Sequence, residues 1–218
     1  MTFNIIDVTP PVVMGSVVQY DGFADMTDYI TENYLDEWLD IFPGYRDIIA
    51  TYDGEILMMP FDGDVFTLYY NKEVLENYDL SPPRTWDEYN DIAEKVHGQE
   101  YNNKTLIGNC IGRTPQCAGP YWAVQVLSSM TQTQGSFEGG LFDTKDMTPL
   151  TGEALMETLR IFEKQHKFGH PDEFDGCIFD INQESMKEEE CVLTYNWGNS
   201  FLLDVIRGKL GIAKVVSC

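Results

Sequence analysis

Basic residues are scarce in this 218-residue chain, where 14 Lys and Arg stand against 36 Asp and Glu and the formal charge is −22. A surface that negative excludes nucleic acid and anionic membranes as main partners, because both are polyanions. It permits a cationic ligand such as a polyamine or a metal cation, and it equally suits a solvated acidic surface. Histidine is rare too, with His97, His166 and His170 as the full set. No apolar run is long enough to cross a bilayer. Met1-Thr-Phe-Asn-Ile5 is neither a basic n-region nor an apolar h-region, so the sequence is expected to begin after any targeting signal. A phosphate-cradling glycine loop, an internal repeat and a low-complexity linker are all missing.

What the chain does have is a core: 43% of its residues are hydrophobic and 13% aromatic, which argues against disorder. It also has five cysteines. Cys110 and Cys117 share one loop-like stretch, while Cys177 and Cys191 flank a predicted helix. Two local disulfides would leave Cys218 over, implying an oxidising compartment and a partner cysteine outside this chain; free buried thiols are the alternative. Asn103-Lys104-Thr105 is a glycosylation sequon in a polar loop, of use if the source is a secreting eukaryote.

The most informative stretch runs from Tyr52 to Val96. Tyr52-Asp53-Gly54 is a turn, Glu55 to Met59 a short apolar strand stopped by Pro60, and Val65 to Tyr70 a second strand rich in β-branched and aromatic residues. Asn71 can cap a helix over Lys72 to Tyr78. Pro82-Pro83 forces an extended connector, and Thr85-Trp86-Asp87-Glu88 is a capping box opening a helix with Trp86, Tyr89, Ile92, Ala93 and Val96 on one face and Gly98 at its end. Upstream, Phe3 to Val8 reads as a strand ending in Thr9-Pro10-Pro11, Gly15 to Tyr20 as a helical turn, and Met26 to Leu39 as two short amphipathic pieces. Downstream, Thr105 to Asn109 reads as a strand and Pro120 starts a helix that buries Trp122, Val126, Leu127 and Met130. Thr151 to Lys167 reads as a helix with Leu155, Leu159 and Phe162 as its buried stripe. Asn182 to Glu190 follows as a short helix, then Cys191 to Asn196 as a strand, Phe201 to Arg207 as a helix and Gly211 to Val216 as a last strand.

This order of parts resembles the extracellular solute-binding proteins of sugar ABC importers, the branch related to maltose-binding protein. The resemblance rests on Tyr52, Gly54, Pro60, Leu68, Tyr70, Asn71, Lys72, Pro83, Thr85 and Trp86, with further likeness at Gly22 to Tyr29, at Gly139-Gly140-Leu-Phe-Asp143 and at Trp197. It departs where acidic Lys187-Glu-Glu-Glu190 replaces a family glycine. The implied fold class is α/β, periplasmic-binding-protein-like (type II) and incomplete: residues 1–62 a partial first lobe, 63–216 the second lobe, with hinge-crossing strands near 58–66 and 211–216. By the same resemblance, ligand would meet Pro10 in the first lobe, Asp62 and Asp64 on the crossing strand, Tyr121 at a helix start, and Asn196 and Trp197 after a strand. Aromatic faces with carboxylates and amides suit the C–H faces and hydroxyls of a sugar. Trp122, Trp86 and Trp38 are expected in cores.

Enzyme readings are weaker. His166 and His170 have a zinc-like spacing near Cys177 but no cysteine pair upstream completes four ligands. A Cys/His nucleophile would need one of the three histidines beside Cys110 or Cys117. Asp62 and Asp64, two apart on a strand, point the same way and suit hydroxyls or a cation better than glycoside chemistry. The expectation is therefore a non-catalytic, cofactor-free solute-binding protein, extracellular or periplasmic. It would bind a sugar or oligosaccharide for transport or sensing and be read by an ABC permease or a larger parent protein. The alternatives are a structural or interaction module of an extracellular assembly, and polyamine or cation binding.

Overall fold

The computed structural model describes residues 10–61, 63, 65–115, 119–131, 142, 146, 148–149, 152–174, 185–198 and 200–213, the side chains of 10–14 and 203 excepted. The chain divides into two compact units, Met1–Gly63 and Asp64–Cys218.

The first unit is helical with one small hairpin: α1 (Pro10–Gln19), α2 (Thr27–Asn33), α3 (Leu35–Asp40), a π-helical segment (Gly44–Ile49), β1 (Thr51–Tyr52) and β2 (Glu55–Ile56). The strand expected over Phe3 to Val8, with Thr9, lies outside the described residues; Pro10 and Pro11, expected to end it, begin a helix instead, which is sound because the first helical position needs no N–H donor. Asp25 opens α2, its carboxylate accepting from the Thr27 hydroxyl at 2.6 Å and the Thr27 N–H at 2.9 Å. These bonds, the hydroxyl's foremost, hold the Asp25 carboxyl below its ordinary pKa. Asp53 and Gly54, both at positive φ, make the hairpin turn. The strand expected from Glu55 to Met59 ends at Ile56, because the Leu57 and Met58 N–H groups both donate to the Ala50 carbonyl instead of a neighbouring strand. Ile30, Trp38, Ala50, Ile56, Leu57 and Met58 form the core of this unit.

The second unit is built on a mixed four-stranded sheet of β3 (Phe66–Asn71), β6 (Ile107–Asn109), β7 (Cys191–Trp197) and β8 (Leu210–Ala213), in the order β6-β7-β3-β8. β3 runs against both its neighbours, while β6 and β7 are parallel. Asn71 caps α4 (Lys72–Asn77), its side-chain oxygen accepting from the Val74 N–H at 3.1 Å. At α5 (Trp86–Val96) half of the capping box forms as expected: Thr85 Oγ1 accepts from the Glu88 N–H at 3.2 Å. The Glu88 carboxylate reaches back one residue further, to the Arg84 N–H at 2.7 Å. Trp86, Tyr89, Ile92, Ala93 and Val96 are all buried, as their spacing predicts. The strand expected over Thr105 to Asn109 resolves into a hairpin, β4 (Glu100–Tyr101) with β5 (Lys104–Thr105), followed by β6. Of the helix expected over Asn182 to Glu190, residues 185–187 are helical, 188–189 form a turn and 182–184 lie outside the described residues; the last strand runs from Leu210 to Ala213, with 214–216 outside them.

α6 (Gly119–Thr131) buries Trp122, Val126 and Leu127 as expected. α7 (Gly152–His166) buries the expected stripe only in part: Phe162 is partly buried against the core, but Leu155 and Leu159 stand 39% and 52% exposed, while Thr158, Ile161 and Gln165 face inward. Two ion pairs bridge α7 to α5 in this orientation, Arg160 to Asp87 at 2.8 Å and Lys164 to Asp91 at 2.7 Å. Two of the inward polar atoms have partners, Thr158 Oγ1 donating to the Ala154 carbonyl and Gln165 Oε1 accepting from the Tyr195 hydroxyl, while Gln165 Nε2 is buried without one among the described residues. α8 (Leu202–Ile206) leads into the edge strand β8.

The cysteine pairing also differs from the two local bridges considered above. Cys110 is bonded to Cys191, 81 residues away with Cα atoms 6.1 Å apart, so neither Cys110–Cys117 nor Cys177–Cys191 forms. Parallel pairing explains this: β6 lies beside the start of β7, and the Cys110 N–H donates to the Leu193 carbonyl at 2.9 Å. Cys117, Cys177 and Cys218 lie outside the described residues.

Candidate functional site

An aromatic platform forms where β3 begins and β7 ends. Phe66 and Trp197 are cross-strand partners whose ring centroids lie 4.8 Å apart. Trp122 from α6 meets both edge to face, at 5.8 Å from Phe66 and 5.3 Å from Trp197. Tyr121, next to it on α6, stands 6.3 Å from Trp197. The four rings divide in role by burial. Trp122 is fully buried and its Nε1–H donates to the Tyr195 carbonyl at 2.7 Å, so it is a core residue that props the others. Tyr121 is 42% exposed and Trp197 half-buried, so these two present ring surface to solvent.

Of the six ligand-contact candidates, the structure brings together Tyr121 and Trp197. Asn196 neighbours Trp197 in sequence but projects from the opposite face of the sheet, since side chains alternate along a strand. It is fully buried, with Oδ1 accepting from the Trp197 N–H at 2.8 Å and Nδ2 without a partner among the described residues. Pro10 belongs to the other unit, where it begins α1. Asp62 and Asp64 lie outside the described residues. Phe66 is the platform residue that motif reasoning missed. The strand pattern held a signal for it, because Phe66 and Leu68 share the face that packs on the helices.

A buried polar cluster holds the loop that leads to α6. Arg113 Nε donates to Glu173 Oε2 at 2.9 Å, with the two side chains 4% and 1% exposed. The Arg113 N–H also donates to the Glu173 carbonyl at 2.7 Å, and its guanidinium lies 3.9 Å from the Phe162 ring centroid. His166 Nδ1 is bonded to the other oxygen of Glu173. Beside this, the Tyr89 hydroxyl donates to Asn109 Oδ1 at 3.0 Å and the Tyr195 hydroxyl to Gln165 Oε1 at 3.1 Å. Burial pushes both phenols above their ordinary pKa. Gly119 then starts α6 so close to this loop that a Cβ there would sit 2.8 Å from the Arg113 carbonyl carbon and oxygen. The arrangement is a tether that pairs Arg113 with Glu173, leaves Arg113 Nη2 without a partner among the described residues, and packs against the start of α6 at Gly119.

Other chemistry finds little support among the described residues. His166 engages Glu173, and His170 Nδ1 accepts from the Asp172 N–H at 3.1 Å. No group of three or more His, Cys, Asp or Glu that could hold a metal occurs among the described residues. Cys110 is tied up in its disulfide and cannot serve as a thiolate nucleophile, while His97 Nδ1 accepts from the Gly108 N–H at 3.3 Å. A small recess beside Asn71 and Lys209 lies at the other end of β3, and the Lys209–Glu189 ion pair at 2.8 Å occupies its wall. No helix among the described residues is long and apolar enough to cross a membrane.

Comparison with known proteins gives a consistent picture. A family model described as "Bacterial extracellular solute-binding protein" matches residues 6–202. A probable ABC transporter-binding protein of Deinococcus radiodurans is 33% identical over 60 residues, which are 27% of this chain and 14% of that protein. Among solved structures, a solute-binding protein of Agrobacterium radiobacter in complex with ribitol aligns with a TM-score of 0.73 at 19% identity, over 93% of this chain and 50% of that one. One from Agrobacterium vitis with bound D-mannitol aligns at 0.70 and 17% identity, over 93% and 48%. Maltose-bound T. maritima MalE3 aligns at 0.61 and 22% identity, over 89% and 48%. The fold is therefore the α/β, type II periplasmic-binding-protein-like one that the motifs led us to expect. The chain spans about half the length of these solved relatives.

Proposed function

The chain belongs to the bacterial extracellular solute-binding protein family, and from that premise we propose that it binds a neutral sugar, oligosaccharide or polyol outside the cytoplasm, for delivery to an ABC permease. The observation that carries the reading is the pair Tyr121 and Trp197, two partly exposed rings on a rigid aromatic base at the end of the sheet. Flat ring faces suit the C–H face of a pyranose or the carbon chain of a polyol, and nothing in such a ligand requires a charged partner. The solved relatives above carry ribitol, D-mannitol and maltose, which is the same ligand chemistry. In this reading residues 63–216 are the second lobe, 1–62 part of the first, and the segments near 58–66 and 211–216 cross a hinge. Asp62 and Asp64 would supply hydroxyl contacts from the crossing segment. Closure of the lobes about that hinge on the bound solute is the signal a permease reads.

The test is thermal unfolding of the full-length polypeptide that contains this chain, against mono- and oligosaccharides, polyols, polyamines and divalent cations. A sugar or polyol at about 100 times its dissociation constant adds roughly 2.7 kcal/mol to the folded state, a shift of a few degrees. Trp197→Ala abolishes that shift; because Trp197 packs on Phe66 and Trp122 the unliganded variant melts lower, so the shift is read against the variant's own melting temperature. A response confined to polyamines or cations overturns the sugar reading. No response to any ligand leaves an interaction module as the function.

A further inference from the structure

Asn103-Lys104-Thr105 takes no part in the aromatic platform, and it is the one Asn-X-Ser/Thr sequence in the chain. Its structural setting is specific. β4 and β5 pair with Glu100 opposite Thr105 and Tyr101 opposite Lys104, which leaves Asn102 and Asn103 as a two-residue turn. Both turn residues have positive φ, 49° and 62°, the conformation a tight hairpin requires and one that Asn tolerates. Asn103 is exposed at the tip, and Thr105 is exposed beside it, its hydroxyl donating to Glu100 Oε1 at 2.6 Å.

Two further features bear on what this tip can do. The buried Cys110–Cys191 bridge suits folding in an oxidising compartment, and the eukaryotic secretory pathway is one such compartment, in which exposed Asn-X-Ser/Thr asparagines are modified. The hairpin also leads directly into β6, whose Ile107 pairs with Cys191 at the start of β7, whereas Trp197 ends that strand. Six residue steps at about 3.3 Å each put the start of β7 roughly 20 Å from the platform. A bulky group on the hairpin leaves the rings clear.

We propose that Asn103 is an N-glycan acceptor when the chain passes through a eukaryotic-type secretory pathway. The donor is a lipid-linked oligosaccharyl diphosphate. The Asn103 side-chain nitrogen bonds to the anomeric carbon of the first sugar as that carbon's bond to the diphosphate oxygen breaks. The amide loses one proton, and the lipid diphosphate leaves with the bonding electrons. This is independent of the solute-binding reading, because the acceptor and the platform share no residue.

The test is translation of the full-length polypeptide into eukaryotic microsomes, together with secretion from a eukaryotic host, followed by peptide mapping across residue 103. The expected result is a glycopeptide that an N-glycan amidase converts to one with Asp at 103. Asn103→Gln and Thr105→Ala abolish it, Thr105→Ser keeps it in part, and none of the three changes the response to sugars. An unmodified Asn103 peptide in microsome-imported or secreted protein with Cys110–Cys191 oxidised overturns the proposal, as does modification that survives Thr105→Ala.

Discussion

The two units of this chain solve the same folding problem with unequal means. The unit from Asp64 onward has a four-stranded sheet, a core that runs from Leu68 to Tyr195, a buried ion pair and a disulfide. The unit ending at Gly63 has six core residues and a hairpin whose strands are two residues long, among its described residues. It also leaves Tyr20, Tyr29, Phe42, Ile48 and Phe61 largely in solvent. Buried fraction rises with size, and a unit of about 60 residues is marginal even when its apolar surface is well covered. The contrast teaches that apolar content alone does not stabilise. Both units are rich in aromatic residues, but only the second arranges them around a sheet that buries them.

The comparison breaks most visibly when the units are separated. A polypeptide of residues 64–218 is expected to unfold cooperatively in denaturant, and one of residues 1–63 to show no cooperative transition by circular dichroism; the opposite result would put the stable core in the wrong unit. Next in size is the tether of the second unit. Glu173→Gln leaves Arg113 buried without its counter-charge and costs about 3–5 kcal/mol, read as a lower urea midpoint at unchanged slope. The smallest effect lies at the surface. Arg160→Ala, which loses Asp87 and Glu157, costs under about 1 kcal/mol and less in high salt. It has a pH signature of definite sign. The Arg160 hydrogen bond holds Glu157 below its ordinary 4.5, so this contribution is present above that value and is lost as pH falls through the lower, folded one. Stability curves of wild type and Arg160→Ala should converge at acid pH.

Local chemistry was legible in the sequence wherever the decisive partners lie within a few residues. The Asn71 cap, the Thr85 cap and the buried face of α5 all follow from spacing, and the structure has them. The spaced motif from Tyr52 to Trp86 led to the right family because it marks short-range punctuation between elements. Reading failed where the partner is distant. Cys110 finds Cys191 only because β6 and β7 become neighbours, and Arg113 finds Glu173 across 60 residues. For α7, hydrophobicity pointed to Leu155, Leu159 and Phe162, of which only Phe162 packs on the core; Ile161 is buried there instead, and Thr158 and Gln165 turn inward with it, Gln165 meeting the Tyr195 hydroxyl 30 residues away. At the platform, Tyr121 and Trp197 are motif positions that the structure brings together. The burial of Asn196 was not legible, because a motif names a position and not the side of the sheet from which its side chain leaves.

The direction of β3 has a mechanical consequence. This strand is the first element after the boundary at Gly63, and it lies between β7 and β8 with both neighbours running the opposite way. Force applied along its axis loads the ladders on both its sides in shear at once, so they resist together instead of unzipping bond by bond. This unit is gripped by an inner strand of its sheet, and its four strands move as one stiff plate.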